Sequence, residues 1–207
     1  DYGSTPETAR KTVAHTEWLL NRIVDAVAQA LGARRPSRLY FGVGFVPFVM
    51  NRREFTPDGV KIGANPRGYA DRSVPVLRVD DPDGHPRAVV FGCASHNTTS
   101  GPQSFVVSGD YAGYAQAHVE SQYPGVQAMF MSGCGADINP YPRGTIALAK
   151  EHGATLGGEV GKFVQWQAAA GAEVDRRTGA ASMVPVAGPL TIAFEQIALP
   201  LRQLPSR

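Results

Sequence analysis

Two short polar segments carry the residue types that hydrolytic chemistry needs. One is Ser95-His96-Asn97; the other is Gly133-Cys134-Gly135-Ala136-Asp137-Ile138-Asn139-Pro140. Each follows an apolar run. An imidazole can accept a proton or bind a metal, and a carboxylate can orient water. An amide can donate to a polarised carbonyl. Glycines let the backbone turn sharply and offer N–H groups to an anion. The expectation is a crevice in which His96 faces Asp137 and Asn139. The N–H groups from Gly133 through Cys134 to Gly135 would hold an oxyanion there. Arg52 and Arg53 are candidates to meet an acidic group on a substrate; their plainer reading is a solvated loop pair.

Taken singly, each segment has an ordinary reading. A histidine after a strand is commonly a surface or hydrogen-bonded residue, and Asp-x-Asn-Pro is commonly a turn. One histidine is also too few for zinc, which takes three or four protein ligands. His15, His85, His118 and His152 lie in helices or a turn, and none has ligand spacing to His96. Asp110 reads as a helix cap rather than a ligand.

The elements that must position these residues are those of an α/β fold. RLYFGVGF (38–45), VPVLRVD (74–80), RAVVFGCAS (87–95) and VQAMFMS (126–132) read as strands. DPDGHP between the second and third is a turn that joins them as an antiparallel hairpin. A helix over about 110–121, capped by Ser108 or Asp110, separates the third from the fourth. Strand, helix, strand makes those two strands parallel. Their carboxyl ends then share one edge, where ligands of open α/β sheets bind. The architecture expected is a mixed β-sheet with a parallel βαβ unit and a hairpin, flanked by helices.

Thr5, Pro6 and Glu7 start a first helix, and Leu20, Ile23, Val24, Val27 and Leu31 share one of its faces, so it is expected to pack on the core. Gly32 is its expected stop. Residues 47–73 are expected to be a long loop rich in Arg, Gly and Pro. Residues 145–170 read as a glycine-rich helix lying close to another element. PLTIAFEQIALPL (189–201) reads as a last strand with a bulge near Gln196.

The chain has 207 residues, 43% hydrophobic and 18% charged, which suits one sizeable core. No apolar run approaches the roughly 20 residues of a membrane-spanning helix, and DYGSTPETAR has no signal-peptide pattern. Net charge is +2 with scattered arginines, which argues against nucleic acid. Cys93 and Cys134 are read as two buried thiols rather than a disulfide framework.

Four segments in this order carry a resemblance: NRRE (51–54), VLRVDDPDGHPRAVVFGCASHNTT (76–99), SGDYAGYA (108–115) and SGCGADINP (132–140). They resemble the N-terminal catalytic domain of neutral/alkaline non-lysosomal ceramidases and their bacterial relatives. The likeness covers most of residues 1–165. It implies a secreted or periplasmic zinc amidase that hydrolyses the N-acyl bond of ceramide. A lipid or N-acyl small molecule is then the substrate, a membrane surface a candidate partner, and calcium or magnesium a candidate second ion. The family's zinc is held by two His, a Glu and a Tyr. His96 matches one of those histidines. The resemblance would put the other upstream of Asp1, in a His-x-His-Ser-Gly-Pro stretch, and the Glu and Tyr past Arg207. The chain is thus expected to be one domain, a fragment of a larger catalytic domain, with little activity alone.

The sequence departs from the family at one position. Ceramidases carry Gly-Asp-x-Ser-Pro-Asn, where the serine is assigned a direct role. Aligned on the proline, Asp137 matches the Asp and Asn139 stands where the serine would be. Asn cannot act as an alkoxide nucleophile, though it can still hydrogen-bond a carbonyl or orient water. Ceramide itself is therefore in doubt, and a related N-acyl amide or ester is left open. Two other classes stay open: a metal-independent serine hydrolase using Ser95 or Ser132, neither in a Gly-x-Ser-x-Gly elbow, and a binding or structural protein that kept the fold without the chemistry.

Overall fold

A computed structural model describes residues 5–167 and 182–198. Helix α1, Pro6–Gly32, begins as its sequence implies: Thr5 Oγ1 accepts from Thr8 N at 3.1 Å, and Pro6 follows. Glu7 pairs with Lys11 and Arg22 with Asp25 at helical spacing. The expectation that α1 packs on the core is not met, because none of its residues is buried. Its apolar face is real, but a stripe states which side prefers burial and not what lies opposite.

Strands β1 (Arg38–Phe45), β4 (Ser73–Asp80), β5 (Pro86–Cys93) and β6 (Gln127–Ser132) form one sheet with the short β8 (Met183–Pro185), in the order β6-β5-β4-β1-β8. β4 and β5 are the expected antiparallel hairpin. β5 and β6 are parallel, with Cys93 opposite Ser132 at their carboxyl ends. Helix α2, Asp110–Gln122, connects them. The fold is mixed α/β.

Residues 47–73 are not a loop throughout. β2 (Val49–Thr56) and β3 (Gly59–Asn65) form a hairpin there, with Pro57-Asp58 between the strands and Gly59 at φ 110°. The charged and small residues that suggested a loop are those of a mostly exposed hairpin, whose outer halves bury nothing. β7 (Ile138–Pro140) adds to β2, giving a second sheet ordered β3-β2-β7.

The expected strand at 189–201 does not form over its described part, 189–198, so its bulge at Gln196 is lost with it; 199–201 lie outside the described residues. Leu190, Ile192 and Phe194 are exposed. Apolar alternation alone makes no strand where no neighbour takes the backbone hydrogen bonds.

Helices α2 and α3 (Ile146–Gln165) cover one face of the larger sheet, and the core lies between. The glycines of α3 permit the expected close approach. A Cβ on Gly157 would lie 2.8 Å from His118 Cβ, and one on Gly161 would lie 2.9 Å from the Tyr123 hydroxyl. Buried Arg78 closes the far end: Nε and Nη2 hold Asp80 at 2.7 and 2.6 Å, while Nη1 caps the last carbonyls of α3. Cys93 is buried as expected, which pushes its thiol up to about 11, but Cys134 is exposed.

Candidate active site

The polar segment after β6 carries the chain from one sheet to the other. Gly133 N donates to Cys93 O at 3.0 Å, extending the parallel ladder past the end of β6. Gly135 then crosses the backbone of β5's tail so closely that a Cβ would lie 2.5 Å from Ser95 N. Gly135 N bonds Gly133 O, and Ile138 N bonds Gly135 O, which completes a tight turn. From Ile138 the chain runs beside β2 as β7. The glycines and Asn-Pro serve that passage.

Two polar ends therefore meet. His96 N donates to Ile138 O at 3.1 Å, and the half-buried imidazole places Nε2 3.4 Å from Ala136 O. Asp137 is next in the chain. Its Oδ2 accepts from Asn51 Nδ2 at 2.9 Å, and its carbonyl accepts from Arg52 N at 2.8 Å. Asn51 is 7% exposed and also donates to Tyr69 O, so a buried amide on β2 fixes the carboxylate. His96 and Asp137 share one edge without a direct bond.

Asn139 is 5% exposed. Its amide is best satisfied with the oxygen 2.6 Å from Arg143 Nη1 and the nitrogen 3.3 Å from Ile138 O. The opposite orientation faces Arg52 Nη1 and Thr98 Oγ1 only at 3.4 and 3.5 Å, the outer limit of a hydrogen bond. Arg52 Nη2 holds Ala136 O at 2.8 Å, and its buried Nε has no partner among the described residues. Arg52 thus belongs to the cluster with His96, Asp137 and Asn139. Arg53 is exposed, and its guanidinium bonds no described residue.

The N–H groups of Gly133 and Gly135 are engaged by backbone carbonyls, which leaves the N–H of exposed Cys134 facing no described acceptor. Neither Ser95 nor Ser132 bonds an imidazole: the Ser95 hydroxyl reaches only the His96 carbonyl, at 3.5 Å. Among the described residues no three of His, Cys, Asp and Glu group to hold a metal ion. His96 is a suitable donor but one of the three or four that zinc takes.

Asn51, Thr98 and Arg143 also border the site, although nothing in the sequence marks them for it. Asn51 and Arg143 reach the site from separate segments, and their signals, an Asn before Arg-Arg and an Arg after Asn-Pro-Tyr-Pro, are local only. Asp110 does not take the expected N-cap position of α2, which Gly109 occupies without a side-chain cap bond.

No family model matches the chain, and neither does any curated protein. Solved structures do. The neutral ceramidase from Pseudomonas aeruginosa superposes with a TM-score of 0.56 at 20% identity, over 68% of this chain and 24% of that one. The fold is ceramidase-like. A ceramidase complexed with C2 agrees, with a TM-score of 0.52 at 22% identity, over 62% of this chain and 22% of its own. The chain spans about a quarter of the length of these ceramidases.

Proposed function

We propose that this chain forms part of the active site of a ceramidase-like hydrolase that cleaves an N-acyl amide or a related ester. His96 is one ligand of a zinc ion whose remaining ligands lie beyond the described residues. The observation that carries this reading is the meeting of His96 with the Ala136–Asn139 segment at the shared carboxyl edge of β5 and β6. The fold shared with neutral ceramidases supports it.

Zinc bound there supplies a Lewis acid, polarising a carbonyl and lowering the pKa of water. The chain's own residues do the rest. In this reading Cys134 N–H and the Asn139 amide receive the carbonyl oxygen as it gains charge. Arg143 holds that amide by its oxygen, and Asp137, fixed by Asn51, orients the attacking water. Water adds its oxygen to the acyl carbon, the C–N or C–O bond breaks, and its proton leaves with the amine or alcohol. Exposed Arg53 is free to meet an acidic group on the substrate or at a lipid surface. Release from the cell, to the periplasm or beyond it, belongs to the same reading.

The test is zinc content together with hydrolysis of short N-acyl and ester substrates by the full-length protein and its His96→Ala variant. The variant is expected to lose zinc and at least 100-fold in activity. Unchanged zinc stoichiometry would remove the ligand assignment. A second reading, a binding protein without catalysis, is favoured by the engagement of Asn139 with Arg143 where a serine would stand. Zinc-dependent substrate binding with no turnover would select it.

A further inference from the structure

The loop that carries His96 is held at both of its ends by two consecutive residues of another element. Asp110 and Tyr111 open α2, and both are buried, at 3% and 0% exposure. Before the histidine, the Tyr111 hydroxyl donates to Ser95 O at 3.0 Å. After it, the Asp110 carboxylate accepts from Thr99 N at 3.0 Å on Oδ1 and from Ser100 N at 2.9 Å on Oδ2. Oδ1 also accepts from Tyr111 N at 2.8 Å.

A helix cap does not account for this. A capping side chain accepts from the second or third N–H of its own helix. The Asp110 carboxylate does accept from Tyr111 N, the second N–H of α2, but its other two donors belong to the His96 loop, which no cap requires. Its backbone is also unusual, since Asp110 is the described non-glycine residue at positive φ, 52°. An L-residue is sterically strained in that region. Such strain persists only where the surroundings over-determine it, and it clusters at functional sites. Here three charge-assisted hydrogen bonds offset it. The Tyr111 ring is locked in turn, edge-on to Phe48 at 5.3 Å and to Phe130 at 5.9 Å. The loop thus hangs from the rigid core through a phenol at one end and a carboxylate at the other.

We infer that Asp110 and Tyr111 are positioning residues that set the place of the His96 imidazole by clamping residues 95–100 from both sides. The consequence for metal binding rests on the ligand reading of His96; the clamp itself does not. Residues that orient a ligand from behind typically change metal affinity 10–100-fold when altered.

Asp110→Asn and Tyr111→Phe in the full-length protein test this. Asn keeps the size and tolerates the left-handed backbone, but its NH2 meets an N–H donor of the loop. Phe keeps the ring in the core and removes one hydroxyl. In Asp110→Asn the amides of Thr99 and Ser100 should exchange with solvent at least 10-fold faster, while Ala115 and Val119 in α2 keep their protection. In both variants the His96 imidazole resonances should shift, and zinc should bind at least 10-fold more weakly. In a His96→Ala background Asp110→Asn should have no further effect on zinc affinity. Unchanged loop exchange and unchanged His96 resonances would overturn the clamp. So would a loosened loop that left zinc affinity intact in a protein where His96→Ala lowers it. If His96→Ala leaves zinc affinity unchanged, the ligand reading falls alone, and exchange and resonances still decide the clamp. Should Asp110→Asn unfold the protein, the Tyr111→Phe resonances decide.

Discussion

At Gly135 one hydrogen atom decides whether the crevice can form. An added Cβ would lie 2.5 Å from Ser95 N and 2.6 Å from Ala94 C, both backbone atoms that no rotamer change can move aside. Gly135→Ala is expected to lower stability by about 1–3 kcal/mol, read as a shift in urea midpoint with an unchanged slope. Asp110 adds a pH dependence. Burial pushes its carboxyl up, but the bonds from Thr99, Tyr111 and Ser100 outweigh this and hold it below its ordinary value. Asp71 is held down by Ser73 in the same sense. A carboxyl depressed in the folded state contributes in full above its unfolded pKa, near ~3.9, and that contribution fades as pH falls through the folded value. The midpoint should therefore drop below about pH 4, and Asp110→Asn should flatten part of that drop. An identical acid profile in the variant would show that the depression is absent.

The contact between α2 and α3 shows how neighbouring glycines in one element differ in role. Gly157 faces His118 at a distance that leaves no room for a side chain, whereas nothing lies within 4 Å of Gly158. Gly157→Val should push the helices apart and cost about 1–3 kcal/mol. Gly158→Ala should instead raise stability by up to about 1 kcal/mol, since it fixes backbone freedom in an exposed helical position. Thermal unfolding of the pair checks both signs, and equal losses would mean that the two faces are not distinct. In α3 the sequence revealed weak helix propensity at these glycines; the spatial reason for Gly157 lies in the helix opposite. The same limit governs α1, whose cap and apolar stripe were legible while its exposure was not.

At the scale of the whole molecule, α2 and α3 pack on one face of the larger sheet, and among the described residues no helix packs on the other. Val184, Phe41, Leu77, Val90 and Met129 stand in one register row across all five strands, with no polar residue among them. Val43 and Met131 on the same sheet are 55% and 64% exposed. A face of this kind binds apolar probes. Val43→Lys and Met131→Lys should each weaken the binding of an environment-sensitive apolar dye while changing stability by less than about 0.5 kcal/mol. A larger loss would mean that the face is packed in solution. The sequence alone determined what depends on neighbours along the chain: the Thr5 cap, the period-2 strands, the hairpin turn at Asp81–His85, and the crossover that makes β5 and β6 parallel. It also placed His96 and the Asp137–Asn139 segment at one edge, because a parallel pair brings its carboxyl ends together. Only the tertiary structure decided that residues 138–140 join a second sheet, that Asn51 fixes Asp137, that Asp110 grips the His96 loop, and that residues 189–198 stay out of any strand. Those outcomes depend on hydrogen-bond partners far away in sequence, and an apolar or polar pattern records that a group needs a partner without recording which one it finds.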